Sequence, residues 1–167
     1  MSELSSAAVP PVGTDDHGRG TGIELVVYAD LGCPHCAVVW EQIKSLDARI
    51  VFRHFPVSNK HPRSPALHAA AEAVAAQEAT APKGAFFEFV DSLFADRGRV
   101  DDPHLWERVE RLGLDLERFE ADRRSEPVAK RVQRDFQSGI RAGVVGTPAL
   151  FRDGQPANPL KAPPAQG

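Results

Sequence analysis

The sequence predicts an α/β domain interrupted by a block of helices, and three observations predict it. A run rich in β-branched and aromatic residues, Ile23–Asp30, is followed by a short turn and then by apolar residues at helical spacing. A second run of the same kind, Ala48–Val57, completes a strand–helix–strand unit, which implies a parallel pair with a right-handed crossover. Residues 59–140 are then helical in pattern throughout, and strand character returns only at Ala149–Phe151.

Each element has a local reason. IELVVYAD, Ile23–Asp30, reads as a buried strand ending in a glycine-containing turn. Beyond Cys36, the residues Ala37, Trp40, Ile43 and Lys44 fall on one helical spacing. ARIVFRHFPV, Ala48–Val57, is a strand that stops at Pro56. SPALHAAAEAVAAQEA favours helix, with Ser64 expected as N-cap and Pro65 at the first helical position. Phe86, Phe89, Val90 and Leu93 stand at i, i+3, i+4 and i+7, one apolar stripe. Asp102–Pro103 is expected to open a further helix, and a short one follows whose Arg123-Arg124 pair is expected on a solvated face. Val128, Val132, Phe136 and Ile140 recur every four residues, and RDGQ is a tight turn centred on Asp-Gly. The expected organisation is therefore a core of residues 22–58 and 141–156, a helical insertion over 59–140, a disordered tail over 1–21 and an irregular proline-rich tail over 157–167.

Composition narrows the function classes. The chain has 167 residues, 42% apolar and 26% charged, as a soluble globular domain has. A net charge of −3 with dispersed basic residues gives no footprint for nucleic acid. No apolar run is long enough to span a bilayer, so no membrane partner is expected. The first 22 residues lack a basic start and an apolar h-region, so the expected compartment is the cytoplasm.

Both cysteines of the chain lie in DLGCPHC, Asp30–Cys36, at the strand-to-helix join. Three readings compete. A zinc site needs four ligands, and the six histidines offer no H-x₃₋₅-H pair; His54, His61 and His68 are seven apart and fall in different expected elements, so no metal site is expected. Two space-filling cysteines would explain neither their spacing nor their position. Redox chemistry explains both. A thiolate is the attacking species, and a helix start offers it free N–H groups and the positive end of the helix dipole. Cys33 would sit there, with His35 adding a donor or a positive charge and Pro34 fixing the turn. Cys36, one helical turn further in, would be the resolving thiol. Downstream, Thr147-Pro148 in GVVGTPAL can be an ordinary turn, or a cis peptide whose exposed Thr147 backbone pairs with an extended substrate.

Taken together, CPHC after a strand, a long helical block, and Gly146-Thr147-Pro148 before a closing strand resemble the DsbA family of thiol-disulfide oxidoreductases, within the thioredoxin superfamily, over roughly Ile23 to Gly154. The resemblance implies a thioredoxin fold, a mixed sheet flanked by helices, with an all-helical insertion between its second and third strands. It implies that Cys33 is the nucleophile, Cys36 the resolving cysteine and Cys33–Cys36 a redox-active disulfide, with Thr147-Pro148 as a cis-proline substrate loop. The expected partners are protein or low-molecular-weight thiols and disulfides and an unidentified recycling partner, and no cofactor is expected. Two other classes remain open: a non-catalytic thioredoxin-fold binding module, and a glutathione transferase or isomerase of the same superfamily.

Two departures from the family accompany the resemblance. Relatives often carry a carboxylate in the first strand beneath the cysteines; here that strand reads Val26-Val27, Glu24 lies too early, and Asp30 is either an equivalent acid or an exposed helix-entry acid. Relatives usually end in a helix packed on the sheet, and PANPLKAPPAQG supplies none. The sheet face left bare is expected to be covered by the tail or by a second copy in a homodimer, since apolar surface left wet costs about 25 cal/mol per Å². His54 and His61 are expected in solvated or capping roles.

Overall fold

The computed structural model describes residues 8–158. Its elements in chain order are β1 (His17–Arg19), β2 (Glu24–Ala29), α1 (Pro34–Ile43), β3 (Arg49–His54), α2 (Ser64–Ala76), α3 (Ala85–Ala95), α4 (Asp102–Arg111), α5 (Leu116–Asp122), α6 (Glu126–Arg141), β4 (Ala149–Arg152) and β5 (Gln155–Pro156). The strands form one mixed sheet in the order β1-β3-β2-β4-β5. β2 and β3 run parallel, in register from Glu24 opposite Arg49 to Ala29 opposite His54, with α1 as the crossover; the other pairs are antiparallel. Asp153 and Gly154 both take positive φ in the β4–β5 hairpin, the geometry an Asp-Gly turn supplies.

Side chains alternate across the strands and divide the core in two. Leu25, Val27 and Ala29 of β2, with Ile50 and Phe52 of β3, face the larger apolar cluster, which includes Trp40, Ile43, Leu67, Phe86, Phe89 and Leu93 from the helices. Val26, Tyr28, Val51, Phe55, Val144 and Phe151 form the smaller cluster on the opposite face. Helix α6 reaches that face because residue 139 is glycine: a Cβ there would stand 2.8 Å from the Phe55 ring and 3.0 Å from the Tyr28 ring.

The N-terminal segment is the main correction. Residues 1–7 of the expected tail lie outside the described residues, but residues 8–21 are built into the fold. β1 pairs with β3, and Val9 and Val12 pack on the smaller cluster beside Phe136. Arg53, buried on that face, holds the segment down: it donates to both carboxylate oxygens of Asp16 (3.1 and 3.0 Å), to the Pro11 carbonyl (3.3 Å) and to the Tyr28 hydroxyl (3.1 Å). A three-residue strand has no period of its own to read, and its register comes from β3. These contacts lie on the sheet face of the smaller cluster, whereas Ala157, just after β5, packs against the larger one. Among the described residues no helix follows β5, and residues 159–167 of the expected irregular tail lie outside them.

Two local expectations in the insertion also change. Ser64 does not cap α2; the helix already includes it, and its hydroxyl serves Asp30 instead. Arg123 is not on a solvated face: its side chain is 8% exposed and pairs with Asp102 and Glu120, while Arg124 remains exposed.

Candidate active site

The turn after β2 is closed by the Cys33 N–H donating to the Asp30 carbonyl at 3.0 Å, and α1 begins at Pro34. Proline suits a first helical position, where its missing N–H is no loss. Cys33 is therefore the N-cap residue, in extended conformation, and its sulfur accepts the Cys36 N–H at 3.5 Å. A sulfur in this place meets the otherwise unpaired amides of the first turn. Both cysteines are thiols, Cys33 7% and Cys36 1% exposed. Pro34 and His35, between them, face solvent, and the His35 imidazole makes no hydrogen bond or ion pair among the described residues.

β4 pairs with β2, placing Ala149 opposite Tyr28 and bringing the loop before it up to the turn. The Thr147–Pro148 peptide is cis, and the Thr147 carbonyl oxygen stands 4.0 Å from Cys33 Sγ. Cys36 Sγ accepts the Asp30 N–H at 3.4 Å, and burial pushes its thiol well above the usual range. His61 lines a cleft of about 180 Å³ beside Leu31 and Gly32, at the edge of the same turn.

Beneath the turn, the structure resolves the question of Asp30. It is fully buried and accepts from the Gly32 N–H (2.9 Å), the Val57 N–H (2.9 Å) and the Ser64 hydroxyl (2.5 Å), so it is not an exposed helix-entry acid. Burial alone would raise its pKa, but the hydrogen bonds from the Ser64 hydroxyl and the Gly32 N–H, with the His68 ring alongside, outweigh it and hold the carboxyl at about 2. Glu24 lies at the opposite end of β2, exposed and 3.9 Å from Arg49.

A chain of buried polar groups, which the sequence reading missed, continues from here. His68 Nε2 accepts the Leu31 N–H at 2.9 Å, so that nitrogen carries no proton. The proton of His68 is then on Nδ1, 2.8 Å from His54 Nδ1; His54 in turn carries its proton on Nε2, 2.8 Å from Glu72 Oε2. His17 Nε2 meets the same oxygen at 2.8 Å. Burial pulls His68 down to about 4, and the two imidazoles outweigh burial at Glu72 and hold its carboxyl well below the usual range. His54 is thus fully buried rather than solvated or capping. Its alternation with Phe52 on β3 was the one available signal: residues 50, 52 and 54 share a face, and that face is core.

Comparison with known proteins gives concordant results. A family model described as DSBA-like thioredoxin domain matches residues 24–166. Among solved structures, the chain is similar to the thiol-disulfide exchange protein alpha-DsbA2 from Wolbachia pipientis (TM-score 0.71, 22% identity, covering 86% of this chain and 78% of that one). It is also similar to a thioredoxin-like oxidoreductase from Silicibacter pomeroyi (0.72, 19%, covering 93% and 86%) and to oxidised BdbD from Bacillus subtilis (0.71, 18%, covering 90% and 88%). Curated relatives include the Na(+)/H(+) antiporter NhaA of Herminiimonas arsenicoxydans, 35% identical over 164 residues, covering 92% of this chain and 25% of the relative. NhaA 3 of Salinispora tropica is 36% identical over 157 residues, covering 87% and 23%. The chain spans about a quarter of the length of these curated relatives.

Proposed function

The chain belongs to the DSBA-like thioredoxin domain family, and on that premise we propose that it is a thiol-disulfide oxidoreductase working through Cys33 and Cys36 on protein or low-molecular-weight thiols and disulfides. The observation that carries the reading is the setting of Cys33. Its sulfur is the N-cap of α1, is the more exposed of the pair, and lies against the Thr147 carbonyl, where an extended substrate segment can lie alongside it.

In the reducing direction the Cys33 thiolate attacks one sulfur of a substrate disulfide, forming a mixed disulfide and releasing the other sulfur as a thiol. Cys36 loses its proton and attacks Cys33 Sγ, releasing the second substrate thiol and leaving the Cys33–Cys36 disulfide. Two electrons pass from the pair to the substrate, and the reverse sequence oxidises a dithiol. Burial keeps Cys36 protonated until it is needed, which makes Cys33 the entry point. Pro34 and His35 tune the pair, and Thr147 and Pro148 receive the substrate backbone. The recycling partner sets the net direction.

The antiporter activity named for the curated relatives belongs to proteins of which this chain matches a quarter. No helix among the described residues is long and apolar enough to cross a membrane. The proposal therefore rests on the thiol site.

The test uses two variants. Cys33→Ser is expected to reduce insulin reduction to background, and Cys36→Ala, unable to resolve, is expected to accumulate mixed disulfides at Cys33 with its substrates. Undiminished insulin reduction by Cys33→Ser would refute the assignment.

A further inference from the structure

His17, His54 and Glu72 come from three elements, β1, β3 and α2, and their donor atoms converge. Both histidine Nε2 atoms stand 2.8 Å from Glu72 Oε2, and one donor atom from each residue lies within 4.8 Å of the others. Two imidazoles and one carboxylate are a ligand set that suits zinc and its first-row neighbours, with a coordination position left for water. The set is oriented as metal ligands are. The second nitrogen of His54 is anchored on His68 Nδ1, and the His17 ring is stacked on Phe86 with centroids 3.9 Å apart. Solvent reaches the cluster from the side of His17 and Glu72, whose side chains are 13% and 12% exposed. The nearest cation, Arg131, stands 3.8 Å from the other oxygen, Oε1, and is itself paired with Asp135 at 2.7 Å. Among the described residues, the hydrogen-bond partners of Oε2 are the two imidazoles.

We propose that His17, His54 and Glu72 bind a zinc-class divalent cation, tying the N-terminal strand β1 to helix α2 of the insertion. The site is separate from the cysteine pair and does not depend on its chemistry. Coordination requires both Nε2 atoms to be bare. The proton of His17 moves to its Nδ1. The proton of His54 also moves to Nδ1, where His68 now donates, so the bond between the two imidazoles reverses. The His68 proton moves to Nε2, which lies 3.6 Å from Asp30 Oδ1 and at present accepts the Leu31 N–H. Charge and protons balance within the three imidazoles. Occupancy is thereby felt at the turn that carries Cys33, through the Leu31 hydrogen bond.

The test is a titration of zinc chloride into the full chain carrying Cys33→Ser and Cys36→Ser, so that no thiol competes. Saturable uptake of one equivalent at micromolar zinc is expected, weakened at least about tenfold by His17→Ala. His17→Ala also disturbs β1, so a second readout leaves the histidines intact: zinc should move the imidazole ¹⁵N resonances of His17 and His54 together with the Leu31 amide. No saturable uptake at micromolar zinc overturns the proposal. So does unchanged affinity in a folded His17→Ala chain, or shifts confined to His35, His61 or His104.

Discussion

The cysteine turn and the histidine–carboxylate cluster stand on either side of Asp30, and they are built in opposite ways. The turn is local: Cys33, Pro34, His35 and Cys36 are consecutive, and only Thr147 arrives from elsewhere. The cluster is non-local: residues 17, 54, 68 and 72 meet because β1 and β2 flank β3 and because α2 packs over its end. The turn keeps Cys33 near the surface under a single N–H and leaves His35 exposed. The cluster pairs every one of its groups, as buried polar networks must. The difference teaches that the proposed thiol chemistry and the buried polar support beneath it belong to adjacent parts, joined through the Leu31 N–H and the Asp30 carboxylate.

The sharpest way to break that contrast is Glu72→Ala, which leaves His17, His54 and Arg131 facing a lost partner. A loss of about 3 kcal/mol in urea unfolding is expected, and a loss indistinguishable from zero would remove the structural role. Next is Asp30→Asn, expected to cost about 2 kcal/mol at neutral pH. The carboxyl sits at about 2 in the fold against an ordinary 3.8. Its contribution is therefore complete above the ordinary value and is lost as pH falls through about 2. The stability gap between the two proteins should close over that window; a gap independent of pH would contradict the hydrogen-bonding account.

On the other side of the comparison, the resolving step should respond to pH because burial raises the Cys36 thiol. The lifetime of a mixed disulfide at Cys33, followed by stopped-flow release of a chromogenic thiol, should lengthen about tenfold for each pH unit lowered. The smallest effect on stability is expected at His35, which is exposed: His35→Ala should stay within about 0.5 kcal/mol of the parent. Its glutathione equilibrium should nevertheless move towards the disulfide. A change in stability without a change in that equilibrium would place His35 with the scaffold instead.

The same contrast explains what was legible in the sequence. β2, α1, β3, β4 and the helical block follow from periodicity and turn residues within short windows, and the cysteine turn is a contiguous motif at a strand-to-helix join. β1 was illegible because His17-Gly18-Arg19 has neither alternation nor β-branching, and its polar, glycine-rich surroundings read as a tail. Arg53 and Asp16 each look solvated in isolation; only the sheet places one under the other. Ser64 reads as a helix cap until Asp30, 34 residues earlier, takes its hydroxyl. His54 and His68 were separable by spacing alone, and it is the parallel register of β2 and β3, followed by α2, that brings them to 2.8 Å.

The most direct measurement is equilibration of the chain with glutathione buffers of graded redox ratio, followed by acid quenching, alkylation and mass spectrometry. The account predicts one reversible two-electron transition, the loss of two hydrogens confined to Cys33 and Cys36, and no such transition in Cys33→Ser. A pair that remains dithiol across the whole range, or that oxidises only between molecules, would contradict it.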